Sequence, residues 1–552
     1  MRLLVIIWFV LLSNITLFSQ HVSKKEVLVI KEKFEQSYNI SSKYFQEKII
    51  IDNNDTLAFV YNYLNAFVVI SADKQLPPIK AYSIENSFPK ADKNSKINFE
   101  DIIIDDLSNF LKRCSNDSKS NEYRTKNLLQ WEEIKTNGIK DTKSDYGPFL
   151  GNIYGQVNCK NDLGNTVNVT NYYTPSNYAV GCVAITFVEL LQYHEWPRIG
   201  VGSHSYYDNY GSTKGNHSAD FDEKYYNWSL VLDEYHTKNT SSKERAELGN
   251  LSYHCAVSVD MDFEYNGSTS NINRIPAAAK KHFRFTSRHI TKSSSGFWNT
   301  VDDNIIKGLP VQFAIYTSSG AGHAVVCDGL KSSSDLYHLN MGWWGSSNAW
   351  YTIQGSFNAG GYSNITAGVV DFIPVVEIGE PKLNINNETV ELEWYYPTTV
   401  TPDAYQLQVK KGSSNWEDLE DNITEKSYSY KYDNTEIHKF RVRAKCFGNW
   451  IDDSWSEYED INIQNELDNQ VSEELAIYPT IVKDKLTIES KYLSGSTIEL
   501  FDLLGNRTYI NILSSSFGKS KIEINVGYLN QGMYIFRLHN GDTIQTSQII
   551  KL

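Results

Sequence analysis

Cys182 is the residue of this 552-residue chain whose type and setting point most directly to chemistry. It lies in the segment Ala179-Val-Gly-Cys-Val-Ala184, where a helical pattern begins that runs to Trp196 and is closed by Pro197. A thiol at a helix N-terminus faces unpaired N–H groups and the positive end of the helix dipole, which favour the thiolate that attacks carbonyl carbon. The sequence alone also allows a small buried cysteine that packs like alanine.

His323 is the candidate general base, and it follows Cys182 by 141 residues. A glycine-rich turn delivers it at the start of an apolar strand. Asn340 lies 17 residues further on, on the next strand, where its amide oxygen can hold the imidazole in the productive tautomer. Gln156 can supply a side-chain N–H to an oxyanion, with a second N–H from the backbone of Cys182.

Each of these assignments has a competing interpretation. Asn340 can be an ordinary turn residue, and Gln156 can be a surface side chain. His194 lies twelve residues after the nucleophile on the same helix, about 18 Å away along its axis, so it cannot be the base. His338 shares a strand face with Asn340 and is the one serious rival to His323.

The composition predicts several globular domains in which β structure dominates. A length of 552 residues corresponds to three or four domains at roughly 150 residues each. Hydrophobic residues make up 41% and aromatic residues 13%, which suits several buried cores rich in sheet. The net charge of −14 would be repelled by phosphate backbones, so nucleic acid is not expected as a partner. The six cysteines show no C-x-x-C spacing, and we expect neither a metal site nor a cofactor.

The N-terminal residues predict export. Met1-Arg2 is followed by ten apolar residues from Leu3 to Leu12, and then by small and polar residues through Gln20. Ten residues are too few for a transmembrane helix, and no later stretch reaches the roughly eighteen apolar residues required. We therefore expect a secreted or cell-surface protein with no membrane span after removal of the signal peptide.

The residue patterns predict different structures along the chain. The first part contains one clear strand, Ala66–Ile70, and an amphipathic helix at residues 101–112. Short alternating strands at 390–394, 405–409 and 439–443 predict a β-sandwich, and a polar linker near 465–474 leads to a last block of similar strands. The expected segments are a signal peptide at 1–20, a first domain at 21–142, the candidate site at 143–376, the sandwich at 377–466 and a second β domain at 467–552.

Four motifs resemble, in order, those of the streptopain family of papain-like cysteine peptidases. The family places its nucleophile in G-C-V-A-T-A, opening a helix that ends in Y-H-x-W-P, and its base in G-G-H-A-F-V-x-D-G. A middle motif reads D-C-G-V-x-V-D-M-D. The matching segments here are Gly181–Thr186, Tyr193–Pro197, His254–Asp262 and Ala321–Gly329. The resemblance continues into the family's prodomain through Ala66–Asp73 and Pro78–Ser83, so it covers roughly residues 50–375.

The resemblance implies an α+β fold, with a papain-like peptidase domain at 143–376 and an N-terminal α+β prodomain at 21–142 that inhibits it. It implies that Cys182 attacks the scissile carbonyl, while His323 takes and returns the proton. Asn340 would orient His323, and Gln156 would stabilise the oxyanion with the Cys182 N–H.

One position departs from the family pattern. The family reads H-x-N-W-G-W-G-G, whereas this chain reads His338-Leu-Asn-Met-Gly-Trp-Trp-Gly345. Met341 therefore stands where the family has a tryptophan that covers the His–Asn hydrogen bond. Its absence would admit water and weaken the base unless Trp343 or Trp344 takes its place.

The last two segments resemble other families, so that two small β-sandwich domains complete the chain. Residues 377–466, with Trp394, Tyr405 and the Ser454-Trp-Ser456 exit, are similar to a fibronectin type III sandwich. Residues 467–552 resemble the C-terminal sorting domain of type IX secretion substrates, and this implies the secretion machinery as a partner.

These patterns predict a secreted cysteine endopeptidase made as a zymogen, with proteins or peptides as substrates. The rival interpretation is a catalytically weakened peptidase scaffold that acts as a surface adhesin or binding protein. Thiol-dependent turnover of casein would separate the two.

Overall fold

The computed structural model describes residues 21–88, 120–139, 145–353, 362–466, 476–489, 497–515, 521–540 and 543–552, with short gaps at 42, 44, 210, 212, 224, 318, 333–335, 434, 452–453 and 509, and a few positions between 104 and 111. The predicted signal peptide at 1–20 lies outside these residues. So do most of the predicted helix at 101–112 and most of the linker at 465–474. Within the described part of the chain, no helix is long and apolar enough to cross a membrane.

The first domain is a four-stranded antiparallel sheet packed against two helices. Helix α1 starts at a capping box in which the Ser23 side chain accepts from the Glu26 N–H and the Glu26 carboxylate accepts from the Ser23 N–H. The apolar face of α1 and the indole of Trp131 on α2 pack on one face of the sheet. The elements are α1 (Lys24–Ser37), β1 (Gln46–Asp52), β2 (Asp55–Asn62), β3 (Phe67–Ser71), β4 (Ile79–Ser83) and α2 (Ser120–Asn137).

Among the described residues, the central region adds four helices and eleven strands, and seven of these strands extend the same sheet while β6 pairs with β7 and β8 with β9. The strand order is β1-β2-β3-β4-β14-β13-β12-β11-β15-β10, with β5 beside β12. The helices are α3 (Cys182–His194), α4 (Ser242–Ser258), α5 (Ile275–His282) and α6 (Phe297–Ile306), and short 3-10 turns lie at Pro175–Asn177, Trp228–Leu230 and Ile272–Arg274. The strands are β5 (Asp145–Tyr146), β6 (Cys159–Lys160), β7 (Thr166–Val167), β8 (Ser203–Asp208), β9 (Gly215–Asp220), β10 (Phe285–Thr291), β11 (Val311–Thr317), β12 (Gly322–Lys331), β13 (Leu336–Asn340), β14 (Ala349–Thr352) and β15 (Tyr362–Pro374).

The two regions share a hydrophobic core as well as a sheet. Strand β4 of the first domain pairs with β14, so that Tyr82 lies opposite Trp350 and Ala81 opposite Tyr351. On one face, Ile50 and Phe67 belong to the same buried cluster as Val325 and Tyr337. The first domain therefore docks by strand addition and by a continuous core rather than by surface contacts alone.

Helix α3 is apolar around nearly its whole circumference, and it is buried where it packs on β12. It begins after Gly181, whose φ of 90° lies in the left-handed region. A Cβ at this position would lie 2.6 Å from the Met261 sulfur. Glu195, with a φ of 47°, ends the helix just before Trp196-Pro197. The glycine before Cys182 is thus required by backbone conformation and by space.

The C-terminal part consists of four small sheets. Strands β16 to β24 form two of them, at Glu377–Ile378, Lys382–Asn384, Thr389–Tyr395, Ala404–Lys411, Glu417–Ile423, Ser427–Lys431, Ile437–Cys446, Asn449–Trp450 and Glu459–Asn462. Strands β25 to β33 form the other two, at Ala476–Tyr478, Ile481–Val482, Lys485–Glu489, Thr497–Asp502, Arg507–Thr508, Asn511–Ser515, Lys521–Asn525, Gly532–Asn540 and Thr543–Lys551. Predicted strands at 390–394, 405–409 and 439–443 are confirmed.

The chain divides into two compact units. Residues 396–403 and 443–456 belong to the same unit as the residues up to Glu377. The other unit contains residues 378–395, 404–442 and 457–552. Within the first unit, the Tyr396 hydroxyl donates to the Pro374 carbonyl, and the His194 ring contacts the Thr399 hydroxyl at 2.5 Å. The predicted boundary at 377 therefore remains a proposal.

Replacing Gly181 with alanine should cost more stability than the same change at Gly164. Both glycines have positive φ, 90° and 79°, but a Cβ at Gly164 would meet nothing within 4 Å. We expect Gly164→Ala to lose about 1–2 kcal/mol from backbone strain, and Gly181→Ala to lose a further 1–3 kcal/mol, roughly, from collision with Met261. Urea unfolding followed by tryptophan fluorescence measures both, and equal losses would show that Met261 moves aside freely.

Candidate active site

Cys182 is the first residue of α3, and its thiol is half-buried. The N–H groups of Ala324, Val183 and Cys182 itself donate to the sulfur and lower its pKa. Burial nevertheless outweighs them and leaves the pKa of Cys182 above its ordinary value. The helix end acts in the direction that the sequence predicted, but in this structure the resting group is a thiol.

His323 lies next to Ala324 near the start of β12 and is buried. Its Nε2 lies 2.9 Å from the carbonyl oxygen of Met341. Because a carbonyl only accepts, Nε2 carries the proton, which leaves Nδ1 as the nitrogen that can take one. Burial lowers the pKa of His323 to about 4, while the Met341 carbonyl acts in the opposite direction. The ring is therefore neutral near pH 7.

The described contacts of the Asn340 side chain are with backbone groups. Its amide donates to the carbonyl of Asn152 at 2.9 Å, and its oxygen accepts from the N–H of Gly342 at 3.1 Å. The acceptor described for the His323 ring is the peptide carbonyl one residue later, and the role of Asn340 as the orienter of that ring stays a prediction. Asn340 lies on β13, opposite Val326 of β12, close enough to act on that peptide.

Trp343 covers the ring of His323. The two rings stack with centroids 4.8 Å apart and planes 15° apart. The Met341 side chain, by contrast, is fully buried in the core. Of the two tryptophans that could replace the family tryptophan, Trp343 is the one that covers the ring. A larger side chain at Met341 would overpack the core.

The backbone at Gln156 connects the segment before Cys182 with the turn that contains Trp343. Its carbonyl accepts from the Val180 N–H at 2.9 Å, just before the nucleophile segment. Its neighbour Gly155 forms an isolated β-bridge with Trp343. The structure therefore brings together Cys182, His323 and the backbone of Gln156 from three distant parts of the chain.

The other two histidines have different partners. His338 contacts the Asp328 carboxylate at 2.6 Å, and its ring packs edge-on against Trp350. His194 lies at the far end of α3, where burial lowers its pKa to about 3. Neither histidine has a described contact with the sulfur of Cys182. Ala324, the residue after His323, contacts that sulfur through its N–H.

Sequence reasoning missed two buried asparagines next to the site. Asn348 accepts the Met341 N–H at 2.8 Å, and Asn152 accepts from Asn340 through its carbonyl. Neither belongs to a motif with a recognisable spacing. The only sequence signal was an amide residue near the glycine-rich Met341–Asn348 turn, and turns often contain asparagine.

Comparisons with known proteins match three parts of the chain. Residues 155–351 match the Peptidase C10 family, residues 19–102 the Spi protease inhibitor family, and residues 476–552 the secretion system C-terminal sorting domain. Streptopain of Streptococcus pyogenes is 25% identical over 338 residues, which are 57% of this chain and 80% of that protein.

Two solved structures of Prevotella intermedia proteins are similar to this chain. A fragment of prointerpain A is 21% identical, covers 59% of this chain and 98% of its own length, and gives a TM-score of 0.43. Active interpain A is 24% identical, covers 41% and 94%, and gives a TM-score of 0.35.

The family matches bear on the sequence predictions. The resemblance to the streptopain family is confirmed by the match at 155–351, and the α+β fold class agrees with the helices and antiparallel sheets described above. The sorting-domain match confirms a secreted or cell-surface location. The fibronectin type III resemblance of residues 377–466 stays a prediction.

The raised pKa of Cys182 predicts how fast the full-length protein reacts with iodoacetamide. Only the thiolate reacts, so the rate should be low near pH 7 and should rise as the pH passes above 9.0, the ordinary value. The pH dependence of alkylation at Cys182, followed by mass spectrometry, measures this. The Cys182→Ser protein gives the background from the other cysteines. A plateau of fast reaction below about pH 7 would instead indicate a preformed thiolate–imidazolium pair.

Proposed function

We propose that this chain, which contains a Peptidase C10 family domain at residues 155–351, is the secreted precursor of a cysteine endopeptidase. One observation carries the proposal. The sulfur of Cys182 accepts from the N–H of Ala324, and the adjacent His323 is held through Nε2 with Nδ1 left as the basic nitrogen. Nucleophile and base are thus neighbours, although 141 residues separate them along the chain.

The proposed reaction starts from the neutral thiol of Cys182 and the neutral imidazole of His323. Cys182 attacks the scissile carbonyl carbon as its proton passes to Nδ1 of His323, and the negative charge moves to the carbonyl oxygen. The Cys182 N–H and the Gln156 side chain stabilise that oxyanion. The imidazolium then gives its proton to the leaving amine, which departs and leaves a thioester on Cys182.

Water completes the cycle by the same route. His323 takes a proton from the water that attacks the thioester, and it returns a proton to the sulfur as the acid product leaves. Trp343 excludes solvent from one face of the imidazole, which strengthens its hydrogen bond to Met341. Cys182, His323 and Gln156 therefore have direct roles, whereas Asn340 acts on the base indirectly.

The prodomain acts as an intramolecular inhibitor, and its docking surface supports this role. It extends the sheet of the peptidase region through the pairing of β4 with β14. The Lys80 ammonium lies 3.5 Å from the Thr352 carbonyl, and the Thr352 hydroxyl donates to the Ile79 carbonyl. A maturation cut between the prodomain and Asp145 would leave this edge of the peptidase sheet without its neighbour.

Lys331 makes a further polar contact across that surface. Its buried ammonium is 3.1 Å from the Tyr38 hydroxyl and 3.6 Å from the Asp145 carboxylate. It also lies 5.3 Å, 5.9 Å and 5.0 Å from the ring centroids of Tyr38, Tyr82 and Trp350. The prodomain supplies both tyrosines, so the cation is enclosed only while the prodomain is bound.

The remaining segments complete the precursor. The sorting domain directs the protein to the type IX machinery. Residues 396–403 and 443–456 pack within the same compact unit as the peptidase region, so we propose that they stay with the mature enzyme.

Matched substitutions at two histidines test the base. His323→Gln should lower kcat/KM by about a thousandfold or more, because an amide cannot take the thiol proton as the imidazole does. His338→Gln should keep activity within about threefold, since glutamine can still donate to Asp328. The assay uses an internally quenched peptide blocked at both ends, which only an endopeptidase cleaves. Loss of turnover in the His338 variant alone would give the base to His338.

The wild-type protein is the positive control in the same assay, and the Cys182→Ala protein is the negative control. Turnover that persists in Cys182→Ala would come from a contaminant or another nucleophile. A purified wild-type protein with no thiol-dependent turnover of peptide or casein would favour the weakened scaffold acting in adhesion.

Replacing Lys331 with methionine should loosen the prodomain. A desolvated cation–π contact is worth about 2 kcal/mol, so prodomain release should become roughly thirtyfold faster. The Cys182→Ala background prevents self-processing, and limited digestion with subtilisin measures loss of the prodomain. Lys307→Met is the matched control, because the Lys307 ammonium also lies over an aromatic ring, Phe447 at 5.4 Å, and its other described contact is with Asp303 and not with the described residues of the prodomain. Equal digestion rates in the two variants would contradict the role of Lys331.

A further inference from the structure

The base is held by a peptide carbonyl, and a carbonyl has no fixed direction unless its peptide plane is fixed. The Met341 carbonyl that accepts from His323 belongs to the peptide whose N–H is that of Gly342. The preceding peptide carries the Met341 N–H. Because each peptide is planar and trans, fixing its N–H also fixes the direction of its C=O.

Both of these N–H groups are held by asparagine side chains. The Gly342 N–H donates to the Asn340 oxygen at 3.1 Å, and the Met341 N–H donates to the Asn348 oxygen at 2.8 Å. Both asparagines are buried, with 1% and 6% of their surfaces exposed. A hydrogen bond in such a place is stronger than in water, and its donor cannot turn to solvent as an alternative.

The turn between them would not keep this shape unaided. Gly342, Trp344, Gly345 and Ser347 have positive φ values of 65°, 55°, 78° and 66°. Such conformations are unfavourable for the tryptophan and the serine, so other contacts must hold the turn. Asn348 braces it from one end to the other, since its side chain reaches back to Met341 and its own N–H donates to Gly345.

The same arrangement connects to the nucleophile helix. The Asn340 amide donates to the Asn152 carbonyl. The Asn152 amide in turn donates to the Glu189 carbonyl at 3.2 Å and to the Gln192 side chain at 2.6 Å, both on α3. The carbonyl that holds the base is thereby fixed relative to the helix that carries Cys182.

We infer that Asn348 is a positioning residue for the base, and that with Asn340 it acts on His323 through the two peptide planes that flank Met341. This inference rests on the proposed function of His323. The Met341 carbonyl stabilises the imidazolium that forms during the reaction, and a carbonyl that turns away would lose that effect. The described contacts of Asn348 are with the backbone of Met341 and Gly345 and not with the sulfur of Cys182, so its effect should appear in kcat and in the protonation of His323.

The test compares Asn348→Ala with Asn348→Asp in the mature enzyme. The alanine variant should lower kcat by about ten- to a hundredfold with KM nearly unchanged. It should also move the acid limb of the kcat/KM profile to lower pH, because His323 must be neutral to take the thiol proton and a destabilised imidazolium loses its proton at lower pH. The aspartate variant keeps an acceptor for the Met341 N–H and should retain kcat within about threefold.

Asn304→Ala is the matched control. Asn304 is also buried and accepts a backbone N–H, that of Asp371, at 2.7 Å, but it lies on α6 away from the site. Its loss should lower the urea midpoint without moving the pH profile. A wild-type kcat and pH profile in Asn348→Ala, or the same pH shift in Asn304→Ala, would overturn the inference.

Two further outcomes are decisive. If Asn348→Ala does not fold, the aspartate variant decides the question, since an inactive but folded Asn348→Asp protein would overturn the role of the acceptor. If His323→Gln is inactive and both Asn348 variants behave as wild type, the proposed function stands and the inference fails. If the wild-type protein shows no turnover that depends on Cys182, both the proposed function and the inference about Asn348 are overturned.

Discussion

The burial of helix α3 is the constraint on which the rest of the site depends. The helix is apolar on nearly every side, so it must lie inside the molecule, packed across β12. That placement brings its first residue, Cys182, to the N–H of Ala324 and hence to His323. It also removes the thiol and the imidazole from water, which raises the pKa of one and lowers the pKa of the other.

The consequence is a site that rests uncharged in the precursor. Three N–H groups favour the thiolate and the Met341 carbonyl favours the imidazolium, yet desolvation outweighs each of them. In the proposed reaction, charge develops only as the proton moves from sulfur to nitrogen. The fixed dipoles around the pair are already oriented toward that charge, so little reorganisation is needed when it appears.

The interactions that join the prodomain to the peptidase region are of the same kinds as those that stabilise each of them, namely strand pairing and hydrophobic burial. Strand pairing between β4 and β14 satisfies backbone groups that an edge strand would otherwise expose. A shared core on one face and the enclosed Lys331 on the other add apolar and cation–π contacts. Release of the prodomain must therefore overcome backbone pairing, hydrophobic burial and an enclosed charge together.

The sequence by itself determined the chemistry and the order of the parts. Cys182 at the start of an apolar helix, His323 after a glycine-rich turn, and the strands of both C-terminal domains follow from periodicity, and these local patterns depend on neighbouring residues only. What only the tertiary structure decided was that a backbone carbonyl holds the base. The sequence favoured the Asn340 side chain, and the structure adds the backbone carbonyl of Met341, with Asn348 and Trp343 beside it. Every residue has a carbonyl, so no residue type or spacing can signal this one; its direction is set by peptide planes and buried hydrogen bonds that exist only after the chain has folded.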